Sequence, residues 1–137
     1  MTRAALSLGG NLGDPAATMR AAVAGLSAHP EVQVRDVSGL WRTCAVGGPA
    51  QPDYLNAVVL VETSLTGWQL LALAHELENA AGRVRVQRWG PRTLDVDLLV
   101  VGDERGVDPA LTLPHPRAHE RAFVLAPWAQ VDPDFVL

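Results

Sequence analysis

The chain has 137 residues, a length typical of one domain covering 1–137, and 48% of them are hydrophobic. Its formal net charge of -4 argues against a dedicated surface for nucleic acid or for an anionic membrane. All 11 basic side chains are arginine, so the lysine that a Walker A phosphate loop or a protein-kinase fold requires is missing.

The first predicted elements are a strand, a helix and a second strand. Residues 4–8 form an apolar strand that runs into the glycine-rich turn 9–13. Asp14 is a natural N-cap with Pro15 at the first helical position, and an amphipathic helix follows. Residues 32–42 then predict a longer strand, whose imperfect alternation of polar and apolar residues indicates a bulge.

The second half of the chain contains a strand, a helix, a strand and a further helical segment. The apolar run 54–63 predicts the third strand, and a capping box at 66–69 begins the second helix. Gly82 is the expected end of that helix. Residues 94–101 predict a buried strand, and residues 118–126 predict a short helix.

This order of elements predicts the fold class. Strand, helix, strand, strand, helix, strand is the ferredoxin-like βαββαβ arrangement of an α+β protein. We therefore expect an antiparallel sheet with two helices on one face. The additional C-terminal helical segment is expected to cover the other face or an edge of the sheet.

Cys44 is the only cysteine, so the sequence has neither a disulfide framework nor a multi-cysteine zinc site. A single cysteine fits a reducing compartment. We see no signal peptide and no segment long enough to span a membrane, and we therefore expect a cytoplasmic protein.

Two aspartates at the start of the last predicted strand indicate a metal site. Side chains two apart on a strand share a face, so Asp95 and Asp97 project together. Adjacent carboxylates repel each other unless a proton or a cation lies between them, and hard oxygen ligands suit Mg2+ better than zinc. The alternative is a strand that begins with solvated acids.

Four arginines precede this strand, and a tryptophan lies among them. Arg83, Arg85, Arg88 and Arg92 suit a polyphosphate, over which a mutually repelling basic loop could close. The alternative is a solvated basic loop. Trp89 could stack on a purine or help to lock the closed loop, or it could fold back on the core.

Several other side chains fit a flat heteroaromatic ligand and its phosphates. Tyr54 and Asn56 share a strand face, and Phe123 could join them in an aromatic and amide pocket. Taken individually, residues of each of these types more often pack in the core or at the end of a strand than bind a ligand. His115 and Arg121 lie in a proline-rich corner, where His115 could bind phosphate, bind a metal or cap a turn; we favour phosphate.

Together these motifs resemble the 6-hydroxymethyl-7,8-dihydropterin pyrophosphokinase family of folate biosynthesis. The most specific block is 88–99, with the sequence RWGPRTLDVDLL. Supporting blocks are 8–13, 51–57 and 113–117, the last followed by Arg121 and Phe123. All four blocks occur in order, and the resemblance covers nearly the whole chain.

The resemblance implies transfer of pyrophosphate from ATP to the hydroxymethyl group of the pterin, leaving AMP. It implies that Asp95 and Asp97 hold two Mg2+ ions, that Asp97 is a candidate proton acceptor, and that Arg83 and Arg92 stabilise the transferring phosphates. The implied ATP-binding residues are Glu78, Arg85, Trp89, Arg92, Leu98, Thr112, His115 and Arg121. The implied pterin-binding residues are Thr43, Cys44, Val46, Tyr54, Asn56, Asp95 and Phe123. We expect a monomer with no nucleic-acid or membrane partner.

Three positions depart from the family pattern. Gly10 stands where a serine is usual, Cys44 where a proline is common, and Ala110 where some members have an arginine. None of these changes removes a metal ligand.

Two other functions compete with this enzyme activity. One is a ferredoxin-like binding domain that has lost catalysis. The other is an RNA-binding sheet, which the acidic charge balance opposes.

Overall fold

The computed structural model describes residues 1–43, 53–82, 93–116 and 122–132, with the backbone alone at 122 and 123. The elements in chain order are β1 Thr2–Gly10, α1 Pro15–Ala28, β2 Val32–Val37, β3 Trp41–Thr43, β4 Tyr54–Thr63, α2 Gly67–Ala80, β5 Asp95–Val101, β6 Gly106–Asp108, β7 Leu111–Leu113 and α3 Ala122–Val131.

The main sheet has the strand order β2-β4-β1-β5, with β3 also paired to β4. All of these pairings are antiparallel. The two central strands, β1 and β4, are the first and third of the βαββαβ core. This order is the ferredoxin-like one, and the predicted fold class is therefore confirmed.

The predicted starts of the first two helices are confirmed, because each is defined by local side-chain contacts. A carboxylate oxygen of Asp14 accepts a hydrogen bond from the Ala17 amide at 3.1 Å, at the beginning of α1. At α2 the Thr66 hydroxyl accepts from the Gln69 amide, and the Gln69 side chain accepts from the Thr66 amide. Gly82 follows α2 with a φ of 69°, a conformation that favours glycine.

The two faces of the sheet carry separate apolar clusters. On one face, α1 and α2 pack Met19, Leu26 and Leu70 against the sheet. On the other face, Val124 and Trp128 of α3 pack against residues of β1, β4 and β5. The C-terminal helix therefore covers the second face of the sheet, as predicted.

One predicted strand is divided in two. The prediction of a continuous strand over 32–42 is wrong, because β2 ends at Val37 and β3 begins at Trp41. Between them the Ser38 hydroxyl accepts the amide hydrogen bond of Val58 at 2.9 Å, so a side chain replaces a backbone carbonyl in the ladder. The predicted bulge is present as a register shift between Val34 and Asp36.

Two further differences concern the C-terminal third of the chain. The β6–β7 hairpin was not predicted, because its strands are short and mostly exposed. The helix α3 is described from Ala122 and continues through Pro127 to Val131, beyond the predicted end at residue 126, whereas its predicted start at residue 118 lies outside the described residues. Its buried Trp128 stabilises the extra turn against the sheet.

Candidate active site

The two aspartates of β5 lie on one face of the sheet. Asp95 is opposite Gly9 and Asp97 is opposite Ser7 on the neighbouring strand β1. Both aspartates are half-buried, whereas Val96 and Leu98 are only 4% exposed and point into the core under α1 and α2. The alternation of β5 therefore directs its carboxylates away from those helices, to the face on which α3 packs.

A buried carboxylate of α2 is bonded to the strand between these aspartates. β5 is at the edge of the sheet, so its outward amides need partners other than a strand. Glu78 is 8% exposed and accepts a hydrogen bond from the Val96 amide at 2.9 Å. Glu78 therefore fixes β5 at the residue between Asp95 and Asp97.

The segment after β7 continues along the same edge. The His115 amide donates to the Leu99 carbonyl at 2.8 Å, two residues beyond Asp97. The Thr112 hydroxyl donates to the Asp108 carbonyl at 3.0 Å, which ties β7 to the hairpin turn. The edge of β5 is thus bounded by α2 on one side and by the β6–β7 hairpin on the other.

These elements enclose an open cleft of about 560 Å3. Its size lies within the usual range for small-molecule sites, about 300–1,000 Å3. The residues implied in ATP or metal binding that line it are Glu78, Asp97, Leu98, Thr112 and His115. His75, for which the sequence motifs predict no role, also lines the cleft, one turn before Glu78 on the same helix face. Its spacing of three from Glu78 was the signal that could have identified it.

On the other side of β1, three implied pterin-binding residues lie together. Tyr54 is opposite Thr43, and Asn56 follows on the same face of β4. The Asn56 side-chain nitrogen donates to the Thr43 hydroxyl at 3.0 Å and to the Trp41 carbonyl at 3.4 Å. Asn56 is 5% exposed, so this amide is held in one orientation.

One row of residues connects the two sides of the candidate site. Asn56 on β4 is opposite Gly9 on β1, and Gly9 is opposite Asp95 on β5. Residues directly opposite each other in an antiparallel sheet share a face. The amide and the first aspartate therefore flank a glycine on the same face of the sheet.

The remaining predicted residues lie outside the described part of the chain. They are Arg83, Arg85, Arg88, Arg92, Trp89, Arg121, Cys44 and Val46, together with the side chain of Phe123. Their roles stay predictions from the sequence.

The donor set at Asp95 and Asp97 fits Mg2+ bound together with a phosphorylated ligand. Within the described ranges, no three histidine, cysteine, aspartate or glutamate side chains form a metal-binding group. Mg2+ is usually held by one or two carboxylates plus substrate phosphates and water, rather than by an all-protein cage. Asp97 lines the open cleft, and Asp95 is half-buried two residues before it on the same face of β5, so the two carboxylates meet that requirement.

The sequence matches the family model described as 7,8-dihydro-6-hydroxymethylpterin-pyrophosphokinase (HPPK) over residues 5–133. The chain belongs to this family. It is accordingly a pyrophosphokinase, an enzyme of the diphosphotransferase class, and ATP is the co-substrate of the family's reaction. In the described part of the structure, no helix combines the length and the apolar character that crossing a membrane requires.

Curated relatives match all or nearly all of the chain. A 2-amino-4-hydroxy-6-hydroxymethyldihydropteridine pyrophosphokinase of Methylorubrum extorquens is 45% identical over 137 residues, covering 100% of this chain and 87% of the relative. Proteins of the same name from Bacillus subtilis and Mycobacterium leprae are 44% and 46% identical. They match 92% and 98% of this chain and 75% and 74% of their own lengths, respectively.

Proposed function

We propose that the chain transfers pyrophosphate from ATP to the hydroxymethyl group of 6-hydroxymethyl-7,8-dihydropterin, in folate biosynthesis. The products are the pterin diphosphate and AMP. One observation carries the proposal: Asp95 and Asp97 lie between a cleft with the candidate ATP residues and a strand face with the candidate pterin residues. The names of the family and of the relatives support the choice of substrates.

The chemistry required is an in-line displacement at the β-phosphorus of ATP. The substrate hydroxyl oxygen forms a bond to the β-phosphorus, and the bond from that phosphorus to the oxygen shared with the α-phosphate breaks. AMP leaves with that oxygen, and we assign the hydroxyl proton to the Asp97 carboxylate. Two Mg2+ ions held by Asp95 and Asp97 would neutralise the triphosphate charge.

The cleft residues would bind and orient ATP. Thr112 and His115 are on the wall formed by the hairpin, and Glu78 is on the opposite wall. The His115 imidazole can donate to a phosphate or ribose oxygen. The Thr112 hydroxyl donates its hydrogen to the Asp108 carbonyl and can accept from a ribose hydroxyl, whereas the Glu78 carboxylate already accepts from the backbone of β5. We therefore assign Glu78 to holding the strand and Thr112 and His115 to ligand contact.

The pterin would lie across the row from Asn56 to Asp95. An anchored amide can hydrogen-bond the edge of a planar heterocycle, and the half-buried Tyr54 ring can stack on its face. This orientation would direct the hydroxymethyl group toward the carboxylates of β5. The predictions that Phe123 completes the stack and that Arg83 and Arg92 close over the phosphates concern groups outside the described part of the chain.

The proposal is tested by product analysis. Purified protein would be incubated with ATP, MgCl2 and 6-hydroxymethyl-7,8-dihydropterin, and nucleotides and pterins would be separated by chromatography. We expect AMP and pterin diphosphate in equal amounts, and neither product in the presence of excess EDTA. The matched control is 6-methyl-7,8-dihydropterin, which lacks the attacking hydroxyl and should give no AMP.

Two results would contradict the proposal. ADP as the nucleotide product would indicate transfer of a single phosphoryl group. AMP formed at the same rate with the 6-methyl compound would indicate hydrolysis of ATP. The predicted monomeric state and cytoplasmic location stay predictions, and light scattering of the purified protein would test the first.

A further inference from the structure

Gly9 is the only residue of the row from Asn56 to Asp95 that has no side chain. It lies in the middle of three paired strands, opposite Asn56 on one side and Asp95 on the other. Gly9 is half-buried, whereas Ser7 on the same face of β1 is 6% exposed. The sheet face is therefore more open at Gly9 than at Ser7, the neighbouring residue of β1 on the same face.

Position 9 favours glycine because a side chain would lack space there, and not because the backbone needs a conformation that only glycine adopts readily. Gly9 is paired in the ladder on both sides, and it is not among the described glycines with positive φ. A Cβ atom built on Gly9 would lie 3.2 Å from Asn56 Oδ1 and 3.8 Å from the Leu55 carbonyl oxygen. The first distance is tighter than ordinary van der Waals contact, so the Asn56 amide would have to move.

The Asn56 amide cannot move without losing its own contacts. Its nitrogen donates to the Thr43 hydroxyl at 3.0 Å, and this bond links β4 to β3. A shift away from a methyl group on Gly9 would lengthen or break that bond. A side chain at position 9 would thus change the orientation of the amide and also occupy the open strip beside it.

We propose that Gly9 is a specificity-determining residue that keeps the strip between the Asn56 amide and the Asp95 carboxylate open for a flat heterocycle. The inference rests on the proposed function and assigns the floor of the pterin site. Neighbouring strands lie about 4.8 Å apart, so the backbones that carry Asn56 and Asp95 are roughly 10 Å apart. A bicyclic ring with a one-carbon substituent is of comparable length and can reach from the amide to the carboxylate.

The direct test is Gly9→Ala, with ligand binding measured by calorimetry. The pterin is titrated in the presence of Mg2+ and α,β-methylene-ATP, whose bridging carbon prevents cleavage of the bond that breaks in the reaction. We expect pterin affinity to fall by about tenfold or more, the scale of one lost polar contact. The affinity for the ATP analogue alone should change by less than about twofold, a difference well below one hydrogen bond.

Gly106→Ala is the matched control. Gly106 is also paired in a strand, and its added Cβ would meet only the Leu111 carbonyl oxygen at 3.9 Å. This variant should bind both ligands like the unmodified protein. Unchanged pterin affinity in Gly9→Ala would overturn the inference, as would an equal loss of affinity for both ligands.

A double substitution tests whether the methyl group acts through Asn56. Asn56→Ala removes the side chain that the methyl group would meet and also relieves any folding defect caused by that contact. The loss caused by moving the amide then disappears, so Gly9→Ala should weaken pterin binding less than it does in the unmodified protein, and the remaining loss measures the effect of the methyl group in the strip itself. An undiminished effect in the Asn56→Ala background would contradict a role through Asn56.

The failure of this inference is distinguishable from failure of the proposed function. If the unmodified protein neither binds nor converts the hydroxymethylpterin, the proposed function is wrong. If it does both and Gly9→Ala does so equally well, only the role of Gly9 is wrong.

Discussion

At the residue scale, the candidate site depends on which neighbours hold each polar side chain. Asn56 is fixed by Thr43 and Trp41, and the strand that carries Asp95 and Asp97 is fixed by Glu78. A polar group held in place before the ligand arrives loses less entropy on binding than one that must be ordered. The site therefore combines buried or half-buried ligand groups with neighbouring residues that hold them in place.

Asp95→Asn and Asp97→Asn should each reduce turnover by at least about a hundredfold, because each removes a negative charge required to bind Mg2+ beside the triphosphate. Turnover should be measured at saturating Mg2+, with thermal unfolding to show that the fold persists. Asp103→Asn, an exposed turn position, is the control and should be fully active. Full activity of Asp95→Asn or Asp97→Asn would refute the metal assignment.

Glu78→Ala should lower the free energy of unfolding by about 1–3 kcal/mol, the cost of removing the acceptor from a buried amide. Glu78→Gln retains an acceptor for the Val96 amide and should recover most of that loss in urea denaturation. The controls are Glu76→Ala and Glu76→Gln, at an exposed position on the same helix. Equal unfolding energies for the two Glu78 variants would contradict a role as acceptor.

At the element scale, α2 is held at its beginning by two independent groups. The capping box of Thr66 and Gln69 is local, whereas both carboxylate oxygens of Glu104 accept from the Gly67 amide at 3.1 Å. Glu104 lies between β5 and the β6–β7 hairpin, so it connects one wall of the cleft to the other. A carboxylate at a helix N-terminus also interacts favourably with the helix dipole.

Glu104→Ala should therefore lower the free energy of unfolding by about 1 kcal/mol, while Glu104→Gln should lose less because it keeps an acceptor. The difference between Glu104→Gln and the unmodified protein comes from charge, and 1 M NaCl should shrink it, since the Debye length falls to about 3 Å. A difference that does not depend on salt would argue against the dipole contribution. Denaturation curves at low and high salt provide both measurements.

The elements also indicate what sequence could and could not predict. The caps at Asp14 and Thr66 were predictable because donor and acceptor are within three residues of each other. The common face of Asp95 and Asp97 followed from the two-residue period of a strand. The break at Ser38 and the contact of Glu78 with Val96 were not predictable, because both partners come together only when distant elements pack.

At the scale of the whole molecule, α3 connects the second core to the pterin side of the site. Trp128 is buried on the sheet, and Gln130 follows it on the exposed side of the helix. The Gln130 side-chain oxygen accepts from the Gly39 amide at 3.0 Å and from the Trp41 indole at 3.1 Å. The short strand β3 anchors Asn56 through Thr43. It is therefore held by its pairing with β4 and by the contacts of Gln130 from α3.

Gln130→Ala should raise the KM for the pterin several-fold while leaving the KM for ATP within about twofold, because β3 loses the contacts of roughly two hydrogen bonds. Gln130→Glu keeps the accepting oxygen and should behave like the unmodified protein. Steady-state kinetics with each substrate varied in turn gives both constants. Equal changes in the two KM values would indicate a general loss of folding instead.

The position of Gln130 near the end of the described chain sets an order of assembly during synthesis. All strands of the sheet leave the ribosome before α3, since domains emerge from their N-terminal end at about 5–20 residues per second. In a nascent chain without α3, Trp41 and Gly39 lack this acceptor, and the apolar residues of β1, β4 and β5 that α3 covers lack their packing partner. Because a domain generally folds as a unit, the pterin side of the site can become complete only after Gln130 has left the ribosome.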